Sequence, residues 1–386
     1  RAVTWTQVAQ YIVLIIAYLL PVFWISNNIG AGFFPHFMLA DEVARIAELE
    51  GQFGFVKNSA ADLATVPKGL AGITKPHSSV NATPWAFISL AVCMMAGTAS
   101  LPHVMMRYFT TPSVRTARRS VGWSLFFIFL LYSSAPMLAT LSKISLMDPT
   151  LATGIIGKSV ADVQALDWYQ NWNQANLMFV SDFNGNGTLE LNEFFMKGSA
   201  VVLATPEIAG LPYVISGLVA AGGMAAAMST ADGLVLAISN ALSHDVYYKI
   251  INPKAETAKR LIVARVLLVL IGFAGATIAA LEIQGILGSV IWAFDFAMSG
   301  LFFPLVLGVW WKRANAPGAV AGMLLGLISG TAYLIWVRNG GSGFLGITQL
   351  TFGIVGASVS LVSMIVVSLI TCLLYTSDAA DEGSSV

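Results

Sequence analysis

The sequence predicts an all-α integral membrane protein, and three observations carry that prediction. Hydrophobic residues make up 56% of the 386 residues and charged residues only 10%, a balance far more apolar than soluble globular domains show. Apolar stretches of about 20 residues recur along the chain, the length an α-helix needs to cross about 30 Å of hydrocarbon. The charged residues gather in a few connecting loops, which alternate between basic and acidic. Lys plus Arg equals Asp plus Glu at 20 each, so bulk charge gives no footing for nucleic acid or another polyanion. The two cysteines, Cys93 and Cys372, make neither a disulfide framework nor a metal-binding Cys/His pattern.

In chain order, Thr6 to Ile25 is the first span; it is too long for a signal-peptide core and lacks a small-residue cleavage site. Residues 28–84 carry Asp41, Glu42, Glu48, Glu50 and Asp62 against Arg45, Lys57, Lys68 and Lys75, and so form an extramembrane loop. Trp85 to Leu101 is the second span, interrupted near its end by Gly97 and Pro102. Broken membrane helices border solute paths because their freed backbone groups face a cavity rather than lipid. Gly97 and Pro102 are therefore candidate pathway positions. Arg107, Arg115, Arg118 and Arg119 follow with no acid among them, the mark of a cytoplasmic loop. His103, at the edge of that loop, reads as a residue facing headgroups.

Val121 to Leu141 is the third span, 143–206 the second long loop, and Pro206 to Tyr248 the fourth span. A second basic loop with Lys249, Lys254, Lys259 and Arg260 leads to spans near Leu261–Leu281, Leu287–Trp311, Gly318–Val337 and Leu345–Thr371. The expected total is eight transmembrane helices. Alternation puts the basic loops, with Lys312 and Arg313, on the inner side and both acidic loops, 28–84 and 143–206, on the outer side.

Within the fourth span, Gly222 to Asp245 places small residues, two adjacent hydroxyls and an acid inside an apolar segment, a mixture that is costly in lipid. On a helix Gly222, Ala226, Ser229, Thr230 and Gly233 share one narrow face, where a neighbouring helix can approach closely. The Ala226 carbonyl, with the hydroxyls of Ser229 and Thr230 one turn later, presents hard oxygen donors that suit a small dehydrated cation such as Na⁺. Asp232, one turn beyond Ser229, is a candidate for the ion or substrate pathway. Asp295 is a second acid at membrane depth, with no motif around it.

The second long loop contains a full match to D-x-[DN]-x-[DN]-G-x₅-E over residues 182–193. Ca²⁺ takes six to eight oxygens. Asp182, Asn184 and Asn186 would give side chains at positions 1, 3 and 5, Thr188 its carbonyl at 7, Glu190 a water-mediated contact at 9 and Glu193 a bidentate carboxylate at 12, while Gly187 allows the sharp turn. The apolar stretches Leu177 to Val180 and Phe194–Phe195 are expected as the flanking helices. The implied ligand is Ca²⁺, in a structural role.

These residues also carry a family resemblance. Met228 to Ile251, MSTADGLVLAISNALSHDVYYKII, resembles the ion-binding helix of the sodium:solute symporter family, in which a Ser-Thr or Ser-Ser pair supplies hydroxyl ligands. GTASLPHVMMRYFT (Gly97–Thr110), WTQVAQY (Trp5–Tyr11) and FPLVLGVWWKRANAPGAVAGMLLG (Phe303–Gly326) match in the family's order. The branch it most resembles lies near the cation/acetate symporters. The resemblance implies a LeuT-like inverted-repeat fold, entered here at the fifth core helix, so that four core helices would stand upstream and residues 1–371 form the symporter membrane domain. It implies Na⁺-coupled uptake of a small organic solute, such as a monocarboxylate like acetate, by a multi-pass protein of the cell (inner) membrane, with no enzymatic chemistry. A small membrane subunit would be a further partner in a two-subunit transporter. Asp232 fits the family's ST-x-D form, whereas Gln7 stands where several members carry Asp. Residues 372–386 resemble the translation of a transposon-adapter sequence and are expected to be non-native. The alternative reading is a symporter-like membrane domain of a signalling sensor.

Overall fold

The computed structural model describes residues 2–32, 35–53, 59–67, 70–72, 84–105, 108, 111–281 and 285–382. Lys57, Lys68, Lys75 and Arg107, named above for their charge, lie outside these residues, as does the expected non-native tail from residue 383 onward. Each long apolar run is helical, because in hydrocarbon a single segment satisfies its backbone only through its own helical hydrogen bonds.

The helices are α1 (Ala2–Asn28), α2 (Leu39–Phe53), α3 (Ala60–Ala64), α4 (Pro84–Ser100), α5 (Pro102–Met105), α6 (Val114–Met147), α7 (Val160–Gln164) and α8 (Asp167–Gln174). They continue as α9 (Val201–Ile208), α10 (Tyr213–Asn240), α11 (Thr257–Ala280), α12 (Ile286–Ala297), α13 (Phe303–Trp310), α14 (Ala316–Arg338) and α15 (Gly353–Glu382). π-helical turns prolong α10 from Ala241 to Ile251 and join α12 to α13 from Met298 to Phe302.

Among the described residues, seven stretches are long and apolar enough to cross a membrane: α1 from Trp5, α6, α10 with its π extension, α11, α12 through α13, α14, and α15 as far as Thr371. The eighth expected span, α4, is apolar but has only 17 residues, about 25 Å of helix. Its shortness has a local cause. Pro102 has no N–H to continue the ladder, so the helix stops at Ser100 and the chain restarts as α5. Gly97, expected to break this helix too, instead lies inside it.

The chain divides into two compact units, the first comprising Arg1–Pro76 with Pro112–Gly275. Here α1 and α10 run antiparallel, with Gln7 meeting Ser229 and Ala17 meeting Gly222. Val22 and Ile25 of α1, Met137 and Leu141 of α6, and Ile215 and Val219 of α10 form one buried core. The two acidic loops come together as one lobe, in which Leu49 of α2 shares a core with Leu146, Ile155, Leu189 and Phe194. Arg45 of α2 pairs with Asp148 at 2.5 Å, and Lys143 with Glu50 at 3.4 Å. Burial works against ionisation of Asp148, but hydrogen bonds from Thr150 and the Arg45 guanidinium outweigh it and hold the carboxyl below the usual carboxylate range. Both acidic loops thus belong to one body, in keeping with a common side of the membrane.

A small antiparallel sheet, ordered β1-β3-β2, braces this lobe: β1 (Ala71–Gly72), β2 (Met178–Val180) and β3 (Phe194–Met196). Met178 pairs with Met196, Phe179 with Phe195 and Val180 with Phe194. The segments flanking 182–193 are therefore strands, not the expected helices. Asn176 explains the difference: it takes φ +55, a left-handed conformation that ends α8 and turns the chain into β2.

The second unit, His77–Thr111 with Ala276–Val386, contains α4 and α12 to α15. Gly318, Gly322, Gly326 and Gly330 form a buried stripe along α14. A side chain has no room there: a Cβ at Gly330 would lie 2.8 Å from Ser299 Oγ, and one at Gly326 would lie 2.8 Å from Ser360 Cβ. This is close backbone approach through small residues, as membrane helices use it. Asn315 caps α14 by accepting from Gly318 N at 2.9 Å and ties it to α15 by donating to Thr371 Oγ1 at 2.7 Å.

Candidate functional site

The hydroxyl pair sits on α10, whose small residues let α1 approach. Gly222 is buried and a Cβ there would come within 2.5 Å of Ala17 Cβ. Two turns further, Thr230 Oγ1 donates to the Ala226 carbonyl at 3.2 Å. Two of the three predicted Na⁺ ligands are thus adjacent oxygens on one face. Ser229 is half-buried beside them, and its carbonyl accepts from Gln7 Nε2 at 3.1 Å. Gln7 thus cross-links α1 to the hydroxyl turn.

The sequence reading missed two groups on α1. Gln10 Oε1 and Tyr11 OH are buried without a hydrogen-bond partner. The antiparallel register puts Gln10 level with Ala226 along the helix pair. The only available signal was their polarity inside an apolar span. A cavity of about 360 Å³ lies in this unit, with Leu14, Ala17 and Tyr18 of α1, Tyr132 of α6, and Gly222 and Ala226 of α10 among its walls. Its lining is apolar apart from the tyrosines, so it suits an alkyl group better than a charged one.

Asp232 is exposed on α10 and makes no hydrogen bond or ion pair among the described residues. Gly97 and Pro102 belong to the second unit. A Cβ at Gly97 would lie 2.5 Å from the Phe294 carbonyl, so this glycine admits α12 against α4. Next to Phe294 along α12 is Asp295, which is 0% exposed. The sequence offered no motif for Asp295, and its burial comes wholly from contacts distant in sequence.

The 182–193 loop is closed by its own side chains. Asp182 accepts from Gly185 N and Gly187 N, each at 2.7 Å, and both glycines have positive φ. Asn184 and Asn186 turn their amide nitrogens to Glu190 Oε1, at 2.8 and 2.9 Å. Glu193 is 1% exposed and accepts from Phe183 N at 2.9 Å and Glu190 N at 3.0 Å. Leu189 is buried and exchanges backbone bonds with Gly157 and Lys158, while Thr188 bridges to Ser159. Among the described residues no three His, Cys, Asp or Glu side chains converge as a metal cluster. The loop's acids are instead interleaved with its amides. Tyr169 braces β2 beneath it, accepting from Val180 N at 3.0 Å, and burial raises its phenol above the ordinary value.

A family model described as the Sodium:solute symporter family matches residues 1–157 and 197–326. The interval between the matches, 158–196, holds the 182–193 loop. An uncharacterized symporter of Cupriavidus necator is 41% identical over 295 residues, 74% of this chain and 42% of that protein. A monocarboxylic acid transporter of Corynebacterium glutamicum is 28% identical over 255 residues, 66% of this chain and 39% of that one. The chain thus spans about two fifths of the length of these curated relatives. Among solved structures, a substrate-bound outward-open Na⁺-coupled sialic acid symporter has a TM-score of 0.56 over 96% of this chain and 62% of that one, at 17% identity. At that identity the likeness is one of fold, and it is the LeuT-like fold expected above.

Proposed function

The chain belongs to the sodium:solute symporter family, and from that premise we propose that it supplies the hydroxyl side of a Na⁺ site in a secondary transporter of the cell membrane. The solute is a small organic acid of the monocarboxylate class. One observation carries this reading: the Thr230 hydroxyl, exposed on α10, and the Ala226 carbonyl are 3.2 Å apart, with the half-buried Ser229 next to them. A dehydrated Na⁺ needs several oxygens at once, and a lost one is not replaced from lipid. The relatives support the solute class, since one of them is named a monocarboxylic acid transporter. The test is labelled-acetate uptake by cells expressing a transporter of the relatives' full length that carries this chain. Ser229→Ala and Thr230→Ala should each raise the Na⁺ concentration for half-maximal uptake by about tenfold, the cost of one charge-assisted oxygen. An unchanged Na⁺ dependence in both variants sinks the assignment.

A second reading concerns Asp182, Asn184, Asn186, Thr188, Glu190 and Glu193, which we infer hold one Ca²⁺ on the outer side. The favouring observation is Glu193, buried with both oxygens fixed by Phe183 N and Glu190 N and with no cation paired to it among the described residues. Binding would turn the Asn184 and Asn186 amide oxygens from the loop to the ion. Millimolar Ca²⁺ should then protect the lobe from proteolysis, and Glu193→Ala should abolish the protection. No Ca²⁺ response in the unaltered protein would show the match to be coincidental.

A further inference from the structure

Asp295 stands out among the buried groups that the ion site does not use. It lies near the middle of the Ile286–Trp310 span, 0% exposed, and neither carboxyl oxygen has a hydrogen-bond partner. It makes no ion pair among the described residues. The groups that approach it are the Cys93 thiol of α4 and the backbone amides of Phe352 and Gly353 at the start of α15, none in hydrogen-bond geometry. Gly353 makes room for it: a Cβ there would lie 2.9 Å from Asp295 Oδ1.

The surroundings select the ligand. Helices α4, α14 and α15 pack on α12, as does the π turn that follows it. Cys93 is the titratable residue on α4, and α15 has none as far as Thr371. The π turn and α13 have none, and α14 carries Tyr333 and Arg338. The Tyr333 hydroxyl is engaged with Ile347 O at 3.0 Å and Phe344 N at 2.8 Å. The Arg338 guanidinium lies over the ring of Trp292, 5.4 Å from its centroid, and Trp292 stands one turn before Asp295 on α12. Ser299 Oγ donates to the Asp295 backbone carbonyl at 2.7 Å, but among the described residues no side chain bonds to the Asp295 carboxyl oxygens, and no cluster of acids, histidines or cysteines gathers there to hold a metal ion. A bare carboxylate in a dry interior is costly without a counter-ion.

We propose that Asp295 is a proton-binding site within the second unit. One carboxyl oxygen takes a proton from solvent and returns it there, with no other bond made or broken. The start of α15, the positive end of its helix dipole, lies against the carboxyl, so protonation removes an electrostatic attraction between α12 and that helix end. This site stands apart from the Na⁺ reading and does not depend on it.

The test is infrared spectroscopy of the chain reconstituted in lipid, titrated between about pH 5 and about pH 9. A carboxylic-acid C=O band should follow the titration, shift in heavy water and vanish in Asp295→Asn. Cys93→Ala keeps the carboxyl but removes the thiol against it, and should move the titration midpoint of the band. Absence of any titrating band, or a band unchanged in Asp295→Asn, overturns the proposal. If Asp295→Asn does not fold, Cys93→Ala decides: a shifted midpoint supports the site, and an identical titration overturns it.

Discussion

Arg45 Nη2 lies 2.5 Å from Asp148 Oδ2 and joins the helix of the first acidic loop to the end of α6. Asp148 is 4% exposed, so removing the guanidinium strands a buried carboxylate that keeps only its bonds from Thr150. Arg45→Met should destabilise the lobe by about 1–3 kcal/mol at neutral pH. Because the Asp148 carboxyl is held below its usual range, its contribution is present above the unfolded value, about 3.9, and disappears as the pH falls through the folded one. Limited proteolysis of the 143–206 segment against pH would check this: wild type and Arg45→Met should converge in acid and diverge near neutrality.

Gln7→Leu removes the donor to the Ser229 carbonyl while preserving bulk on α1. The expected loss is about 0.5–1.5 kcal/mol, one hydrogen bond between helices. Thermal unfolding in detergent measures it. An unchanged midpoint would mean that α1 and α10 are held by packing alone.

Glu193 should matter even without Ca²⁺, because its two oxygens satisfy the amides of Phe183 and Glu190. Glu193→Ala leaves both without that acceptor, at about 1–3 kcal/mol each if they stay dry. Hydrogen exchange in chelator should show faster exchange at these two amides and slower change in α9. Equal exchange in both proteins would contradict the closed loop seen here.

Gly326→Ala should be poorly tolerated, since its methyl would press on the Ser299 carbonyl of the π turn and on Ser360 of α15. Backbone cannot swing aside as a side-chain tip can, and overpacking costs about 1–3 kcal/mol. Gly308→Ala on α13, with nothing within 4 Å, is the matched control. Unfolding midpoints should fall for the first and hold for the second.

Span existence was legible because about twenty apolar residues have few other uses. The hydroxyl turn was legible too, since Ala226 and Thr230 are one helix turn apart on any helix. The strands beside the 182–193 loop were not. Leu177 to Val180 is too short for its period to separate strand from helix, and the turn that decides it depends on a single left-handed Asn176. Gln10, Tyr11 and Asp295 escaped for another reason. Burial of an isolated polar residue is a property of its neighbours, here α10, α4 and α15, which no local pattern reports.

The π turn from Met298 to Phe302 holds one residue more than the α-helical ladder needs, and Pro304 follows two residues later. Deleting a single residue between 298 and 302 would relax the bulge to ordinary helix while leaving the faces of α12 and α13 pointing as they do now. A deletion anywhere else in Ile286–Trp310 would rotate the downstream face by about 100°. This five-residue window is therefore the place in the span where chains of unequal length can be superposed without disturbing the Gly326 and Gly330 notches.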